Sequence, residues 1–405
     1  MAIKALRGMK DILPPLSYKY LAFIQQASQI AQNYTFEYIE PPLLEETQLF
    51  KRSVGESSDI VGKEMYQFID KGGNDVCLRP EGTAGVVRSF IEHKLDRKGG
   101  VHRFYYYGAM FRYERPQKGR FRQFHQFGVE SFGEASVYED AAIIILAKEI
   151  LDSFHIKYTL AINSIGCPSC LPDYKKKLID FLAQKEDICD DCKRRRTTNP
   201  IRVLDCKNKT CQNIYNEAPK LLDHLCESCQ RDFEKLQEIL RAEDVEFVID
   251  DRLVRGLDYY TKTAFEFISS ELGAQNAIAG GGRYDNLVEF LGGKPTPAVG
   301  FAIGIERILD LINTPQQREG FYLGSMLEKA IDRLFHLAIQ KRRSTKLYVE
   351  YRPKSLKAHL KAADKQNAKY ACIIGEDELQ QGTIWIKDLE AKKEWHATIN
   401  EFLEL

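Results

Sequence analysis

The sequence predicts an α+β fold built on an antiparallel sheet. Stretches rich in Tyr, Phe and Val, with the composition of β-strands, recur along the chain at 101–112, 123–132, 245–250, 261–268 and 298–303. Helical segments and turn residues separate them, and this mixture is typical of α+β proteins. The chain contains no GxxxxGK[ST] sequence, and Gly280–Asp285 fits neither that phosphate loop nor GxGxxG. We therefore expect any nucleotide to be held in another way.

The N-terminal region predicts a helix followed by a strand. Residues 18–33 place several small or apolar side chains near one helical face, namely Leu21, Ile24, Ala27, Ser28 and Ala31. Residues 34–40 then alternate like a strand. Pro41 and Pro42 must end that strand or place it at the edge of the sheet, because proline cannot donate to a ladder.

Length and composition indicate a folded protein of several domains. A chain of 405 residues is too long for one ordinary core, and 44% apolar with 29% charged residues does not suggest disorder. The first residues lack the apolar stretch of a secretion signal, and the run Ala141–Ala147 is too short to span a bilayer. We expect a cytoplasmic protein with no membrane partner. Basic and acidic residues both number 58, so contact with nucleic acid must use local basic patches.

The composition changes twice along the chain. Between 166 and 235 paired cysteines and helical charge patterning replace the aromatic strand pattern, which predicts an inserted helical, Cys-rich domain. Residues 313–320 form a polar linker. Beyond the linker, two amphipathic helices alternate with strands at 346–351, 370–374 and 383–387. This pattern predicts a separate α/β domain over 321–405, and leaves 1–165 and 236–315 as the main body.

The segment 105–130 predicts a strand, a basic loop and a second strand. Along the first strand Tyr106, Gly108, Met110 and Arg112 share a face, and on the second Gln126, Gly128 and Glu130 do. Glycine inside a strand often marks a place where a ligand approaches the backbone. This face is therefore a candidate floor of a binding site. The alternative is that these polar groups lie on a solvated face of the sheet.

Three further segments combine charged residues with glycine. Leu78–Ala84 places a carboxylate and a hydroxyl around a glycine, although an ordinary capped turn has the same pattern. Asp251–Thr261 combines Arg255, Gly256 and two tyrosines and fits a surface loop as well as a site. The segment 297–309 is an apolar strand leading into a helix whose first turn holds Arg307. A buried cation there opposes the helix dipole and needs an anion, either phosphate or Glu306.

Taken in this order, the segments resemble the class II aminoacyl-tRNA synthetases, and among them the histidyl-tRNA synthetases. Nearly the whole chain is covered. The matching segments are Arg7–Pro14 (N-terminal signature), Tyr38–Glu46 with Pro42 (motif 1, which forms the dimer), Phe111–Glu130 (motif 2), Leu253–Tyr260 (the segment peculiar to the histidine enzymes), Gly300–Arg307 (motif 3) and Ile374–Leu379 (anticodon-binding domain). The resemblance implies a class II antiparallel sheet with flanking helices in 1–165 and 236–315, and an anticodon-binding domain in 321–405.

The resemblance also implies the activity and the roles of individual residues. Members activate L-histidine with ATP and Mg²⁺ and transfer it to the 3′ end of tRNA(His), as homodimers. The residues similar to the histidine pocket are Glu81, Thr83 and Gln126, for the ammonium, and Glu130, Tyr259 and Tyr260, with Glu130 and Tyr260 on the imidazole. Arg112, Arg255 and Arg307 resemble the catalytic arginines that surround ATP. Guanidinium groups suit this role because they stay charged and match phosphate oxygens.

Eight of the ten cysteines lie between 167 and 229, in four pairs. The pairs are Cys167 with Cys170, Cys189 with Cys192, Cys206 with Cys211, and Cys226 with Cys229. In a long chain without a signal peptide such pairs indicate a metal site rather than disulfides. Two four-thiolate zinc sites of structural type would use all eight. The alternative is a helical insert whose thiols are incidental.

Two other functions fit part of the pattern. The synthetase-like regulatory subunit of ATP phosphoribosyltransferase shares the catalytic fold, but its relatives typically lack the anticodon domain and disrupt the activation residues, which this chain retains. A zinc-ribbon RNA-binding protein without catalysis would explain the cysteines but would leave the candidate site residues without a role.

Overall fold

The computed structural model describes residues 3–55, 58, 60–257, 259–273, 276–312 and 318–405. The chain divides into two compact units, Met1–Ile312 and Asn313–Leu405. The first five residues of the predicted linker, 313–317, lie outside the described residues.

The helices and strands are numbered in chain order. The helices are α1 Leu16–Asn33, α2 Thr47–Val54, α3 Thr83–Glu92, α4 Val137–Asp152, α5 Leu171–Ala183, α6 Asp190–Thr198, α7 Lys209–Ile214, α8 Glu227–Ala242, α9 Leu287–Phe290, α10 Ile305–Leu311, α11 Ile331–Lys341, α12 Leu356–Lys365, α13 Glu376–Gln381 and α14 Ile399–Glu404. The strands are β1 Glu37–Tyr38, β2 Leu44–Glu46, β3 Tyr66–Ile69, β4 Asp75–Leu78, β5 His102–Phe111, β6 Gln123–Phe132, β7 Thr159–Ser164, β8 Val248–Ile249, β9 Thr261–Ile268, β10 Ala277–Arg283, β11 Ala298–Gly304, β12 Phe321–Ser325, β13 Leu347–Glu350, β14 Tyr370–Ile374, β15 Thr383–Asp388 and β16 Glu394–Thr398.

An eight-stranded sheet with the order β1-β5-β6-β11-β10-β9-β7-β8 forms the centre of the first unit. All its inner pairings are antiparallel, and only the two outermost pairs, β1 with β5 and β7 with β8, are parallel. The predicted α+β fold on an antiparallel sheet is therefore confirmed. A smaller antiparallel sheet, β2-β4-β3, was not predicted.

Helices α1, α4, α8 and α10 pack on one face of the large sheet and form the main apolar core with it. In α1 the buried face runs through Phe23, Ala27, Ile30 and Ala31, whereas Leu21 is 63% exposed. The prediction that Leu21 belongs to this face was wrong. The buried face begins at Phe23 and continues one and two turns later at Ala27 and Ile30.

Two predicted strands are shorter than expected. Only Glu37–Tyr38 of the stretch 34–40 pairs, at the edge of the sheet beside β5, as the two following prolines require. Of 245–250, only Val248–Ile249 pairs, at the opposite edge. Each of these edge strands has a neighbouring strand on one side only, so few backbone hydrogen bonds are available to lengthen it.

The Cys-rich region has an apolar cluster of its own. Its buried members include Tyr174, Leu178, Leu182 and Val203 from α5 and the turn after α6. Helix α8 begins at the last cysteine pair, but its Phe233, Leu236 and Leu240 belong to the main core. The predicted boundary at 235 thus falls within a helix that both regions share.

The second unit is a five-stranded sheet of order β13-β12-β14-β15-β16 with helices α11 to α14. The predicted strands at 346–351, 370–374 and 383–387 are present as β13, β14 and β15, and β12 and β16 are additional. Within the described part of the chain, no helix has the length and apolarity needed to cross a membrane.

Candidate active site

A cavity of about 250 Å³ lies in the first unit over the large sheet. It is lined by every predicted histidine- and ATP-binding residue except Glu130, namely Glu81, Thr83, Arg112, Gln126, Arg255, Tyr259, Tyr260 and Arg307. Three buried polar atoms of these residues make no hydrogen bond of normal distance and angle to the described part of the chain: Gln126 Oε1, Arg255 Nε and Tyr259 OH. Because buried polar groups are normally paired, these atoms indicate a ligand site.

The two long central strands carry the predicted residues in register. Tyr106 lies opposite Gly128 and Gly108 opposite Gln126, so these residues share one face of the sheet as expected. The two glycines, however, do not leave room for a ligand. A Cβ on Gly128 would run into the Tyr106 ring, and one on Gly108 would meet the Arg79 guanidinium. The expected close approach of a ligand at these glycines was therefore wrong, because buried side chains fill the space.

The turn before α3 presents Glu81 and Thr83 to the cavity. The Glu81 carboxylate accepts hydrogen bonds from the backbone N–H groups of Thr83, at 2.6 Å, and Ala84, at 2.9 Å. It therefore caps the helix, as the capped-turn alternative proposed, and also lines the cavity. Burial raises the pKa of Glu81 despite these two bonds. Binding of a cationic group beside it would offset that cost.

Glu130 lies behind the cavity wall and is 1% exposed. Its Oε1 accepts from Thr83 Oγ1 at 2.6 Å and from the Tyr106 hydroxyl at 3.3 Å, and its Oε2 accepts from the Tyr284 hydroxyl. Burial raises the pKa of Glu130 to about 8. Both carboxylate oxygens are thus engaged by hydroxyl groups, and the predicted contact with imidazole stays a prediction.

The three predicted arginines converge on the cavity from different elements. Arg112 follows β5 and donates from Nε to the Pro80 carbonyl at 2.9 Å. Arg255 donates from Nη1 to Glu266 Oε1 at 2.8 Å. Arg307 at the start of α10 donates to the carbonyls of Gly119 and Ala277. Burial and then the neighbouring Arg112 lower the pKa of Arg307. An anion between these cations would relieve their repulsion.

One alternative proposed that Glu306 neutralises Arg307, and this alternative was wrong. Its carboxylate accepts from the His125 backbone N–H, at 2.9 and 3.0 Å, and lies 2.7 Å from His125 Nδ1. Residues at adjacent helix positions point in different directions, so Glu306 bonds His125 on β6 and not Arg307, although both residues line the cavity. No ion pair to Arg307 is formed by the described residues.

The sequence did not single out Glu114, Arg120 or Glu266, which also line the cavity. Arg120 pairs with Glu114. Glu114 also acts on a second carboxyl group, that of Glu64. Burial and the nearby Glu114 carboxylate raise the pKa of Glu64 to about 7. Glu266 was detectable in principle, because it interrupts the apolar strand β9 between Phe265 and Phe267.

The eight paired cysteines form two groups of four. Cys167 and Cys170 meet Cys226 and Cys229, while Cys189 and Cys192 meet Cys206 and Cys211, with the sulfur atoms of each group within 4.8 Å of one another. The distances Cys167–Cys170, Cys167–Cys226 and Cys189–Cys206 are 3.7, 3.8 and 3.7 Å between sulfurs. Four sulfurs tetrahedrally placed about 2.3 Å from zinc are about 3.8 Å apart. The geometry of both groups therefore fits zinc.

Comparison with known proteins identifies the family. The family described as "Histidyl-tRNA synthetase" matches residues 8–308, and that described as "Anticodon binding domain" matches residues 339–405. A histidine–tRNA ligase of Nitratiruptor sp. is 71% identical over all of both chains. A histidine–tRNA ligase of Sulfurimonas denitrificans is 63% identical over 97% of this chain and 98% of its own.

A solved structure shows the same relationship. The crystal structure of apo S. aureus histidyl-tRNA synthetase superposes with a TM-score of 0.83 at 33% identity, covering 100% of this chain and 99% of that one. With the cavity, the segment order and these matches in agreement, the chain belongs to the histidyl-tRNA synthetase family.

Proposed function

We propose that the chain activates L-histidine with ATP to histidyl-adenylate and transfers the histidyl group to the 3′ end of tRNA(His). The observation that carries this proposal is one cavity in which a buried carboxylate, Glu81, lies with Arg112, Arg255 and Arg307. The carboxylate suits an ammonium group, and the three cations suit phosphates. An amino acid and ATP together supply the ammonium group and the phosphates.

The histidine ammonium is held by Glu81, Thr83 and Gln126, which all line the cavity. Tyr259 and Tyr260 line the same cavity, with ring centroids 4.7 Å apart. Glu130 lies behind the cavity wall and reaches the amino acid in one of two ways. It either orients Thr83, or it binds the amino acid directly after one of its hydroxyl partners is released. A pocket built to satisfy both imidazole nitrogens leaves buried polar groups unpaired when an apolar analogue enters, and so rejects it.

The three arginines bind ATP and stabilise the α-phosphate as the histidine carboxylate attacks it. No nucleophilic side chain is needed, because positioned reactants and fixed positive charge lower the barrier. Mg²⁺ bound to the polyphosphate neutralises charge on it. Glu114 and Glu266 line the cavity and offer the oxygen ligands that Mg²⁺ prefers. The loop at Arg115–Arg122, which contributes Gly119, Arg120 and Phe121 to the cavity wall, closes on ATP and the tRNA end.

Domain roles follow from this proposal. Residues 1–165 and 236–315 form the class II catalytic domain, 166–235 form the Cys-rich insertion and 321–405 bind the anticodon. The match of residues 339–405 to an anticodon-binding domain supports the last assignment.

A homodimer is supported by exposed apolar side chains around motif 1. Tyr38, Leu43 and Leu44 are 44%, 46% and 42% exposed, and Phe68 and Ile69 on β3 are 46% and 65% exposed. Exposed apolar side chains are typical of surfaces that bind another chain, and most soluble homo-oligomers are two-fold dimers.

The two groups of cysteines bind one structural zinc each. Besides the sulfur spacing, the backbone N–H of Cys226 donates to Cys170 Sγ at 3.1 Å and that of Cys189 to Cys211 Sγ at 3.2 Å. Such donors stabilise thiolates. Zinc-bound thiolates are compatible with a reducing compartment, which supports a cytoplasmic location.

Histidine-dependent ATP–pyrophosphate exchange, followed by charging of tRNA(His), tests the proposal. We expect both activities, with exchange absent when histidine is omitted. The regulatory subunit of ATP phosphoribosyltransferase would give neither activity, and neither would a zinc-ribbon RNA-binding protein. Retention of Arg112, Arg255 and Arg307 around one cavity favours the enzyme over both alternatives.

A further inference from the structure

The segment Asp251–Gly256, which carries Arg255, is held from outside by the Cys-rich insertion. The insertion contacts four of the six residues of the segment. Lys220 pairs with Asp251 at 2.7 Å, and Arg252 Nη1 donates to Asn216 Oδ1 at 3.1 Å. Val254 belongs to the insertion's apolar cluster, and Arg202 Nη1 donates to the Gly256 carbonyl at 2.6 Å. Arg255 itself is turned the other way, towards Glu266 and the cavity.

The contact between Arg202 and Gly256 acts on the peptide immediately after Arg255. A Cβ on Gly256 would meet no atom within 4 Å, so packing around its α-carbon does not hold this glycine in place. A charge-assisted hydrogen bond to the Gly256 carbonyl is therefore an effective restraint on the direction in which the chain leaves Arg255.

Arg202 is in turn tied to the second group of cysteines. It lies in the 3₁₀ turn Pro200–Val203, between Cys192 and Cys206, which both belong to that group. Val203 in the same turn is fully buried in the insertion's apolar cluster. Joining Cys192 and Cys206 through one metal closes the loop that contains Arg202 and restricts its motion.

We infer that Arg202 is a positioning residue for adenylate formation, and that the metal site at Cys189, Cys192, Cys206 and Cys211 supports the catalytic placement of Arg255 through it. This inference rests on the proposed function. The Cys-rich insertion is then an outer wall of the active site and not an independent appendage.

The principal test compares Arg202→Ala with Arg196→Ala in ATP–pyrophosphate exchange. Arg196 is a matched control, because its Nη1 also donates to a backbone carbonyl, that of Leu182 at 3.1 Å, but within the insertion. We expect Arg202→Ala to lower kcat roughly tenfold to a hundredfold with a small change in histidine KM, since a misplaced catalytic group has costs of this size. Arg196→Ala should keep the wild-type kcat, and Arg202→Lys should recover part of the loss.

A double substitution separates positioning from a general loss of structure. If Arg202 acts through Arg255, Arg202→Ala should have almost no further effect on kcat in an Arg255→Ala background. A wild-type kcat for folded Arg202→Ala, or a full additional loss in the double variant, would overturn the inference. Activity of the wild-type chain tests the proposed function separately, because it does not depend on either substitution.

Metal content gives a readout independent of activity. Elemental analysis of protein purified under reducing, chelator-free conditions should find about two zinc ions per chain, on the basis of four thiolates for each. Cys211→Ser should lower the content towards one and reduce kcat, whereas Arg202→Ala should retain both ions. A zinc-free chain with wild-type kcat, or Cys211→Ser with one zinc and full kcat, would show that the metal does not support the placement of Arg255.

Discussion

Arg255 donates from Nη1 to Glu266 Oε1 at 2.8 Å, at the wall of the candidate active site. The pair is only partly exposed, with 18% and 23% of the two side chains accessible. Arg255 Nε is buried and makes no hydrogen bond of normal geometry to the described residues. Glu266 thus orients the guanidinium while part of its donor capacity remains for a ligand, an arrangement suited to a group that must meet a phosphate.

Arg255→Ala should fold and bind histidine but lose most adenylate formation. Removal of one preorganised donor to a developing charge costs roughly 10²–10³ in rate. Pyrophosphate exchange and histidine binding by calorimetry measure the two effects. Because the substitution also leaves Glu266 unpaired, Arg255→Ala with Glu266→Gln is the matched control, and it should remain impaired. Near-normal exchange by folded Arg255→Ala would rule out the proposed role.

Glu130→Gln should damage histidine recognition far more than ATP binding. The carboxylate accepts from Thr83, Tyr106 and Tyr284, and a glutamine amide can present a donor where an acceptor is needed. Leaving a buried donor or acceptor unpaired costs roughly 1–3 kcal/mol, or about one to two decades in histidine kcat/KM. ATP affinity should change little. A variant with normal histidine kinetics and lost ATP binding would contradict this division of the pocket.

The same substitution should change how the stability of the chain depends on pH. Burial raises the pKa of Glu130 to about 8 in the folded chain, above the ordinary value of about 4.3 in the unfolded chain. Between these values the folded state binds the additional proton, so this carboxyl group lowers the free energy of unfolding as pH rises, and the loss is complete above the folded pKa. Glu130→Gln removes that contribution.

Urea unfolding of wild type and Glu130→Gln at pH 5.5 and pH 8 measures this effect. The variant should gain stability relative to wild type at the higher pH. A difference between the two proteins that is the same at both pH values would show that Glu130 is ionised in the folded chain throughout this range.

Phe68→Glu should weaken dimer formation. Phe68 is 46% exposed on β3, among the apolar side chains that we assign to the interface. A charge there opposes burial against a second copy. Light scattering should show a dimer for wild type and a shift towards monomer for the variant. Phe335→Glu is the control, since Phe335 is 47% exposed in the C-terminal unit. A monomeric wild-type chain with full aminoacylation activity would refute the assembly and the need for it.

Local patterns in the sequence were sufficient for most of the strands. The stretches 123–132, 261–268 and 370–374 coincide with β6, β9 and β14. Alternation, aromatic content and bounding glycines are properties of neighbouring residues, so they are visible without the fold. The order of the segments was likewise enough to predict the family, because several spaced motifs are far more specific than any one.

Contacts between distant residues were decided only by the tertiary structure. Four cysteine pairs can combine into two groups in three ways, and folding joins the first pair with the last. The same reason explains why Glu306 meets His125, why Glu130 lies behind the cavity wall and why Arg202 reaches Gly256. Spacing along the chain limits which atoms can meet, but strand register and helix packing determine which of them do.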